Sequence, residues 1–507
     1  MVFQQPARMS IPAEPNPDVR LNGRFRSGLY WAAFGKGLQV AIQISFTAAL
    51  SWMLSPGDYG LMAMVAVFTG FATMLADGGF NSALVQRRET TEIHAQTVFW
   101  INLGASVLAA VTTCLMAPFL ARFFLSPTLT PLFRIISINF VLGSLGGVPG
   151  AMLEKRMQFK TIALNLNLAL MVSGVLGVAL AFFGAGVWSL VAQSLAFSAT
   201  NSLMRCWSCR WRPRLVFDLR VMSDLFGFSG NFYVYNSINY WARNADNLLV
   251  GKFFGAAILG SYSRAYSLML LPIGLINSVV AQVVFPGFSS IQDDRSRIKS
   301  IYLKAIGIVS LVTFPMMMGL EVAATPFVNT LYGGKWSNVV LFIKILVPVG
   351  MLQSIANTVG WIYLPLGKTK LMLYTSAITA IGEFIAFWIG IRIGSATALA
   401  ICYAIFNLIY FYPFMAIAWR TIDIRPSEVF SILAGPLFSS LAMGSVVYGL
   451  GIWIPAVWSP WETLLALVGS GTVFYVAVVC LFRLSAANIF LALVVSKAGP
   501  RDDDPLR

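Results

Sequence analysis

Apolar segments of about twenty residues recur along nearly the whole chain, and they restrict its possible folds more than any other feature. A helix of that length crosses the hydrocarbon core of a bilayer, which is about 30 Å thick. The stretches between these segments are too short for a separate soluble domain. We therefore predict an all-α integral membrane protein with about fourteen transmembrane helices. The predicted helices cover residues 29–54, 59–76, 97–117, 131–152, 162–183, 185–204, 227–250, 256–280, 303–323, 339–364, 369–390, 394–418, 429–454 and 462–482.

The composition agrees with a chain that is surrounded mainly by lipid. Hydrophobic residues make up 58% of the 507 residues, charged residues make up 11%, and the mean hydropathy is +0.75. A soluble domain carries about 25% charged residues, so this composition excludes a soluble globular protein. The segment 1–28 contains prolines and arginines but no short apolar core or cleavage site, so we expect the first helix to be retained.

The basic residues predict the orientation of the helices in the membrane. If both termini lie in the cytoplasm, most of the 35 Lys and Arg residues fall in cytoplasmic segments, as the positive-inside rule requires. Only Arg122, Lys252, Lys335 and Arg392 then lie in outer loops. Most of the net charge of +15 therefore follows from topology, and we predict no nucleic-acid partner. The basic segment after the sixth helix also suits contact with anionic lipid head groups.

A weak internal repeat predicts two related helical bundles. The string LSPGDYGLMAM at 54–64 is similar to AAILGSYSRAY at 256–266, with a shared Gly-x-Tyr. Related bundles of about six helices are typical of alternating-access transporters. The predicted parts are a cytoplasmic tail at 1–28, a six-helix bundle at 29–204, a basic cytoplasmic linker at 205–226, a second six-helix bundle at 227–418, two further helices at 429–482 and a cytoplasmic tail at 483–507.

The predicted seventh helix carries a polar face. Spacings of four and three residues place its polar side chains on one side of the helix, and these are Asn231, Tyr235, Asn239, Arg243 and Asp246. An ionisable side chain at the centre of a membrane helix costs at least about 2.5 kcal/mol, so it usually faces a polar cavity or a partner. Two interpretations stay open: Arg243 and Asp246 neutralise each other as a buried pair, or this face binds substrate or an ion.

Cations in other predicted helices are further candidates for a binding site. In the first helix Lys36 and Gln39 share a face, and Lys36 has no obvious partner in its own helix, so we predict that it binds an anionic head group. Arg264 adds a cation in the eighth helix. Lys344 and Arg134 lie near helix ends, where a long side chain reaches the membrane surface, and that interpretation is favoured for both.

Acidic residues in or near the helices are candidates for coupling transport to an ion gradient, by uptake of a proton or Na⁺. These residues are Asp77, Asp246 and Glu383. Asp77 precedes two glycines where the second helix ends, so a turn or cap role is at least as good an interpretation. Glu383 lies well inside the eleventh helix, which makes it the better candidate.

The sequence contains no pattern typical of a catalytic or cofactor site. A Gly-rich phosphate loop with its lysine, a cluster of metal ligands and a nucleophile motif are all missing, so we predict no enzyme activity, metal or cofactor. Cys206 and Cys209 have the spacing of a redox or zinc site, but no second pair accompanies them. We predict that they are inert.

Several strings point to one family. Residues 244–294 contain Asn-x-Asp, Leu-Gly-x-Tyr, a proline within a helix and a terminal Phe-Pro-x-Phe-Ser. Supporting strings are LSPGDYGLMAM at 54, DGGFNSALVQ at 77, TVFWINL at 97, GAGVWSLVAQ at 184 and LYGGKW at 331. Over residues 21–420 the chain resembles the polysaccharide transporter family of Wzx-type flippases, whose superfamily also holds the lipid II flippases and the multidrug antiporters. The resemblance is closer to exopolysaccharide exporters than to O-antigen flippases.

The resemblance implies a flippase in a bacterial inner membrane. Its substrate would be a polyprenyl-diphosphate-linked oligosaccharide repeat unit, moved by alternating access from the cytoplasmic to the periplasmic leaflet for exopolysaccharide synthesis. Lys36, Arg243 and Arg264 would then provide a cationic cavity, and a polysaccharide polymerase and export machinery would be partners. One alternative is a cation-coupled multidrug antiporter of the same superfamily, which predicts fewer cations on the route. Another is an integral-membrane polysaccharide polymerase, although such enzymes carry a long periplasmic loop and the predicted outer loops are short.

Overall fold

The computed structural model describes residues 17–86, 91–290, 294–455, 457–482 and 487, and the side chains within these ranges except those before 35 and those of 86, 219–236 and 278–290. The described residues form helices joined by short turns, without a β-strand. The helices are α1 (Pro17–Met53), α2 (Pro56–Asp77), α3 (Phe80–Gln86), α4 (Glu92–Phe123), α5 (Leu129–Ile136), α6 (Ile138–Leu145), α7 (Gly147–Lys155), α8 (Phe159–Phe182), α9 (Val187–Cys209), α10 (Leu219–Ser290), α11 (Arg295–Val322), α12 (Ala324–Leu331), α13 (Ser337–Ala356), α14 (Val359–Tyr363), α15 (Thr369–Ile393), α16 (Ala396–Arg420), α17 (Pro426–Trp453) and α18 (Pro460–Leu481).

The prediction of a multi-pass all-α membrane protein is confirmed. Ten helical spans among the described residues are long and apolar enough to cross a membrane. The other predicted spans fall in α1, α9 and α10, so the count of fourteen stays a prediction. Large apolar side chains on α4, α8, α15 and α16 are exposed, including Leu108, Leu164, Ile381 and Ile409. An exposed apolar surface of this kind is unfavourable in water and favourable in contact with the acyl chains of lipid.

Local sequence explains where several helices begin and bend. At the start of α2, the Ser55 side chain accepts a hydrogen bond from the Asp58 N–H while the Asp58 carboxylate accepts one from the Ser55 N–H, and Pro56 occupies the first turn. α10 bends at Gly255, whose φ of 82° and ψ of 177° suit glycine. This bend separates the predicted seventh and eighth helices. The helix predicted at 131–152 lies within one apolar span, Leu129–Lys155, which is divided into the consecutive helices α5, α6 and α7.

The chain forms two compact units, Met1–Leu259 and Gly260–Arg507. In the first unit α8 packs on α1 and α9, while α4 packs on α2, α5 and α6. In the second unit α11 packs on α13 and α17, α16 packs on α13 and α15, and α18 packs on α12 and α17. The linker predicted at 205–226 contains the turn between α9 and α10, and the predicted bundle boundaries stay predictions.

The first part of α10 packs closely on α2 because two glycines leave room for it. A Cβ atom built on Gly60 would overlap the backbone carbonyl of Ala256, and one built on Gly70 would overlap the hydroxyl of Tyr240. The Tyr240 hydroxyl in turn donates a hydrogen bond to the Val67 carbonyl at 2.7 Å. These contacts set the position of the polar face of α10 on the first unit.

A lysine also joins α10 to the end of α4. Lys252 Nζ donates a hydrogen bond to the Phe123 carbonyl and lies 4.7 Å from the centre of the Phe123 ring. A cation is favourable at the C-terminus of a helix, where carbonyl groups lack partners within the helix. The lysine therefore reinforces the packing that the glycines of α2 permit.

Candidate functional site

Lys36 lies on α1 as a cation without an acidic partner among the described residues. Its Nζ donates a hydrogen bond to Gln39 Oε1 at 3.2 Å, which confirms that the two side chains share a face. Lys36 is exposed. The adjacent Gly35 is held against α8, since its carbonyl accepts a hydrogen bond from Asn167 Nδ2 at 3.4 Å. This contact fixes α1 to α8, and the exposed ammonium group of Lys36 on α1 is available to bind an anion.

The polar face of α10 does not contain the ion pair considered above. Arg243 is exposed, whereas Asp246 is 3% exposed and its Oδ1 accepts a hydrogen bond from the Asn247 N–H at 2.6 Å. Arg243 and Asp246 do not form an ion pair with each other. Asn239 is half-buried on the same helix. The interpretation as a neutral buried pair is therefore wrong, and a substrate- or ion-binding face remains the prediction.

Two other predicted members of this face cannot be placed. The side chains of Asn231 and Tyr235 lie outside the described residues, although the backbone at both positions is helical within α10. Their predicted role rests on helical spacing alone.

Asp77 ends α2 and takes part in a polar network with two asparagines. Its carboxylate accepts a hydrogen bond from Asn81 Nδ2, and Asn102 Nδ2 donates to Asn81 Oδ1 at 3.2 Å. Gly78 and Gly79 follow with φ of 65° and 67°, which turns the chain into α3. The network therefore joins α2, α3 and α4, and Asp77 lies at the turn between α2 and α3. Asn81 and Asn102 were not predicted, since only the fold brings α4 beside this turn.

The remaining candidates belong to the second unit. Arg264 is half-buried in the part of α10 after Gly255, and Glu383 is half-buried on α15. Lys344 on α13 is exposed and interacts electrostatically with Glu321 near the end of α11. Glu321 was not among the predicted site residues, although an acidic residue near the end of an apolar helix is a signal for such a role.

The segment that joins α9 to α10, residues 210–218, is fixed to the beginning of α4. Gln96 makes two of these contacts: its Nε2 donates to the Arg212 carbonyl at 3.3 Å, and its Oε1 accepts from the Arg214 N–H at 2.6 Å. Trp100 Nε1 donates to the Arg214 carbonyl at 2.8 Å. We call residues 210–218 the linker segment. Its backbone is held in one conformation by side chains more than a hundred residues earlier in the chain.

Replacing Gln96 with leucine should loosen the linker segment. The side chain is 1% exposed, and its loss leaves the Arg214 N–H and the Arg212 carbonyl without these partners, which costs about 1–3 kcal/mol. We expect the amide of Arg214 to exchange hydrogen at least about tenfold faster, measured by hydrogen–deuterium exchange with mass spectrometry. Gln158→Leu, at an exposed glutamine beside α8, is the control. Unchanged protection in Gln96→Leu would contradict this role.

The two neighbouring cysteines are engaged in packing. Cys206 Sγ lies 3.4 Å from the Leu145 carbonyl and Cys209 Sγ lies 3.7 Å from Met152 Sδ, and neither forms a disulfide. Within the described part of the chain, no three His, Cys, Asp or Glu side chains are grouped so that they could hold a metal ion.

Comparison with known sequences gives a family and several relatives. A family model described as "Polysaccharide biosynthesis protein" matches residues 49–341. The teichuronic acid biosynthesis protein TuaB of Bacillus subtilis is 29% identical over 430 residues, which cover 84% of this chain and 89% of that protein. The lipopolysaccharide biosynthesis protein WzxC of Escherichia coli is 25% identical, with 83% and 88% covered. The succinoglycan biosynthesis transport protein ExoT of Rhizobium meliloti is 26% identical, with 82% and 84% covered.

Comparison with solved structures gives the fold. An inward closed conformation of the lipid II flippase MurJ matches with a TM-score of 0.70 at 14% identity, covering 94% of this chain and 100% of that chain. An inward-facing multidrug resistance MATE family transporter of the MOP superfamily matches with a TM-score of 0.61 at 15% identity, covering 76% and 94%. At these identities the likeness concerns the fold alone.

Proposed function

The chain belongs to the polysaccharide biosynthesis protein family, and we propose that it is a flippase for a lipid-linked oligosaccharide. The substrate is a polyprenyl-diphosphate-linked repeat unit, moved from the cytoplasmic to the periplasmic leaflet of a bacterial inner membrane for exopolysaccharide synthesis. The names of the relatives support this proposal, since they refer to teichuronic acid, lipopolysaccharide and succinoglycan, and one is called a transport protein. The fold shared with a lipid II flippase agrees with it.

The observation that carries the proposal is the exposed ammonium group of Lys36 beside Gln39 on a helix of a membrane protein. A diphosphate and its sugars cannot cross hydrocarbon unaided, because desolvation of charges and hydroxyl groups is too costly. A lysine and an amide supply the charge and hydrogen bonds that replace water around phosphate. Arg243 on α10, exposed and outside any ion pair of the described residues, supplies a second cation. We assign Arg264 the same role in the second unit.

We propose that the membrane potential drives the reaction together with a cation gradient. At a membrane potential that is negative inside, the outward movement of two negative charges is favourable by about 4–5 kcal/mol per 100 mV. Inward movement of Na⁺ or a proton would add to this driving force. We place both termini in the cytoplasm on the distribution of basic residues. A polysaccharide polymerase and export machinery would receive the product.

The function is tested in a strain from which the gene has been deleted. We expect lipid-linked oligosaccharide to accumulate in the cytoplasmic leaflet and the extracellular polysaccharide to be lost, and both defects to be reversed by the wild-type gene. The leaflet is determined with a periplasmic glycosidase or lectin that cannot reach the cytoplasmic face. Normal export in the deletion strain would overturn the proposal. Accumulation in the periplasmic leaflet would instead indicate a polymerase.

The same strains distinguish a flippase from a multidrug antiporter, the nearest alternative with this fold. A drug antiporter predicts greater sensitivity to cationic drugs in the deletion strain and unchanged polysaccharide export. We expect unchanged drug sensitivity, because the exposed cations Lys36 and Arg243 repel a cationic substrate.

The coupling ion is tested with Glu383→Gln and Asp246→Asn. Each change removes an ionisable group while it keeps the size of the side chain, so we expect transport in proteoliposomes to lose its response to an imposed Na⁺ or pH gradient at fixed membrane potential. Asp77→Asn is the matched comparison. Its carboxylate lies in the turn network with Asn81, so we expect lower stability with the gradient response retained. A normal gradient response in both Glu383→Gln and Asp246→Asn would exclude these two residues.

A further inference from the structure

The end of α9 and the linker segment together form one surface, residues 207–217, which we call the ledge. Its backbone and its side chains make different contacts. The helix ends at Cys209, and the next residue, Arg210, has a left-handed φ of 54°. Beyond it, Gln96 and Trp100 hold the backbone at residues 212 and 214, and Thr97 Oγ1 accepts a hydrogen bond from the Asp218 N–H at 3.2 Å. These contacts involve backbone atoms of the linker segment. The side chains of Arg210 and Arg212 take no part in these contacts.

One side chain of the linker segment packs against the protein, while residues 212–217 are exposed. Trp211 packs inward, with its ring centre 5.5 Å from that of Phe99 in an apolar cluster. Its neighbours Arg210 and Arg212 are exposed. Trp211 therefore anchors the segment to the protein, while the two arginines beside it stay exposed.

Large apolar side chains are exposed beside these arginines. Leu215 is 89% exposed, Trp207 is 74% exposed, and Phe217 is half exposed. Nothing in the described chain covers them, and each costs free energy in contact with water. A surface that combines arginine with tryptophan, leucine and phenylalanine is typical of segments that lie at the boundary between head groups and acyl chains. Here the segment follows directly from a helix end of a membrane protein.

We propose that this ledge, residues 207–217, binds anionic phospholipid in the leaflet at which α9 ends. The guanidinium groups of Arg210 and Arg212 contact phosphate oxygens, while Trp207, Leu215 and Phe217 enter the interface. Arg214 contributes less to this surface, since its side chain lies 3.9 Å from the carboxylate of Glu92. The occupant is lipid because a soluble anion would leave the apolar side chains in water. The inference goes beyond the proposed function, since it concerns the surrounding lipid and no step of transport.

The test compares lipid binding to the intact purified protein by native mass spectrometry. The probes are phosphatidylglycerol and phosphatidylcholine, added in equal amounts to wild type, to the double variant Arg210→Gln/Arg212→Gln and to Leu215→Ser. The double variant Lys368→Gln/Lys370→Gln removes the same charge from another turn and is the control. Each basic residue near an anionic surface contributes about 1 kcal/mol, so each lost arginine should weaken phosphatidylglycerol binding about fivefold.

We expect wild type to prefer phosphatidylglycerol, the arginine variant to lose the preference, the control to keep it, and Leu215→Ser to bind both lipids more weakly. Hydrogen exchange of residues 210–218 checks that the ledge stays in place in the arginine variant, as its backbone contacts predict. Equal binding of the two lipids to wild type would overturn the proposal. An unchanged preference in a correctly placed arginine variant would do the same. If millimolar inorganic phosphate by itself prevented phosphatidylglycerol from binding, the ledge would be a site for free anions. That result would also overturn the proposal.

Discussion

Transport of the lipid-linked oligosaccharide should fall by about ten- to a hundredfold when Lys36 is replaced by glutamine. A hydrogen bond that involves a charged group contributes about 1.5–3 kcal/mol, and glutamine keeps a donor but removes the charge. Lys36 is exposed and has no acidic partner among the described residues, so its charge is available to the diphosphate. Transport is measured as the rate at which labelled lipid-linked oligosaccharide becomes accessible to an external enzyme in proteoliposomes. Arg243→Gln should show a loss of similar size.

The matched control is Arg134→Gln. Arg134 is also an exposed cation on a helix, but it lies near the end of a predicted span, where its side chain reaches the membrane surface. We expect its transport rate to stay within about twofold of wild type, since surface charges contribute little. Lys36→Arg should retain most activity because it keeps the charge. If Lys36→Gln transported like Arg134→Gln, Lys36 would have no role in binding the diphosphate.

The second large effect is expected from Gly60→Ala in α2. Overpacking a filled site costs about 1–3 kcal/mol, and occasionally more. For Gly60→Ala we expect a cost at the upper end of this range or above it. The new methyl group would overlap the Ala256 carbonyl, which is part of the backbone and cannot rotate away. We expect the first part of α10 to be displaced from α2, with a large drop in the yield of monodisperse protein and in its thermal stability. Both are measured by size-exclusion chromatography after stepwise heating in detergent.

Gly57→Ala is the control for this substitution. Gly57 lies on the same helix, and a Cβ atom built there would be 3.5 Å from the Ser55 hydroxyl, an ordinary contact distance. We expect wild-type yield and stability. Equal stability of the two variants would show that α2 and α10 do not need the close approach. The result also bears on function, because this packing sets the position of Arg243.

Sequence alone determined the class of the protein and most of its helices. A membrane span is defined by the hydropathy of about twenty consecutive residues, which is local information, so multiple spans were predictable without a structure. Helix ends such as Ser55 with Asp58 and the bend at Gly255 also depend on residues close together in the chain. The family resemblance, which rests on short strings, is confirmed by the match over residues 49–341.

Tertiary structure decided the contacts on which the candidate sites depend. Helical spacing placed Arg243 and Asp246 one turn apart, but spacing does not say which of them faces a neighbouring helix, and only Asp246 is buried. The division of one predicted helix into α5, α6 and α7 likewise appears only in the structure. Gln96 holds backbone atoms of Arg212 and Arg214, and Asn102 reaches Asn81 from another helix. These partners are distant in sequence, so their pairing depends on how the helices pack, which no local pattern records.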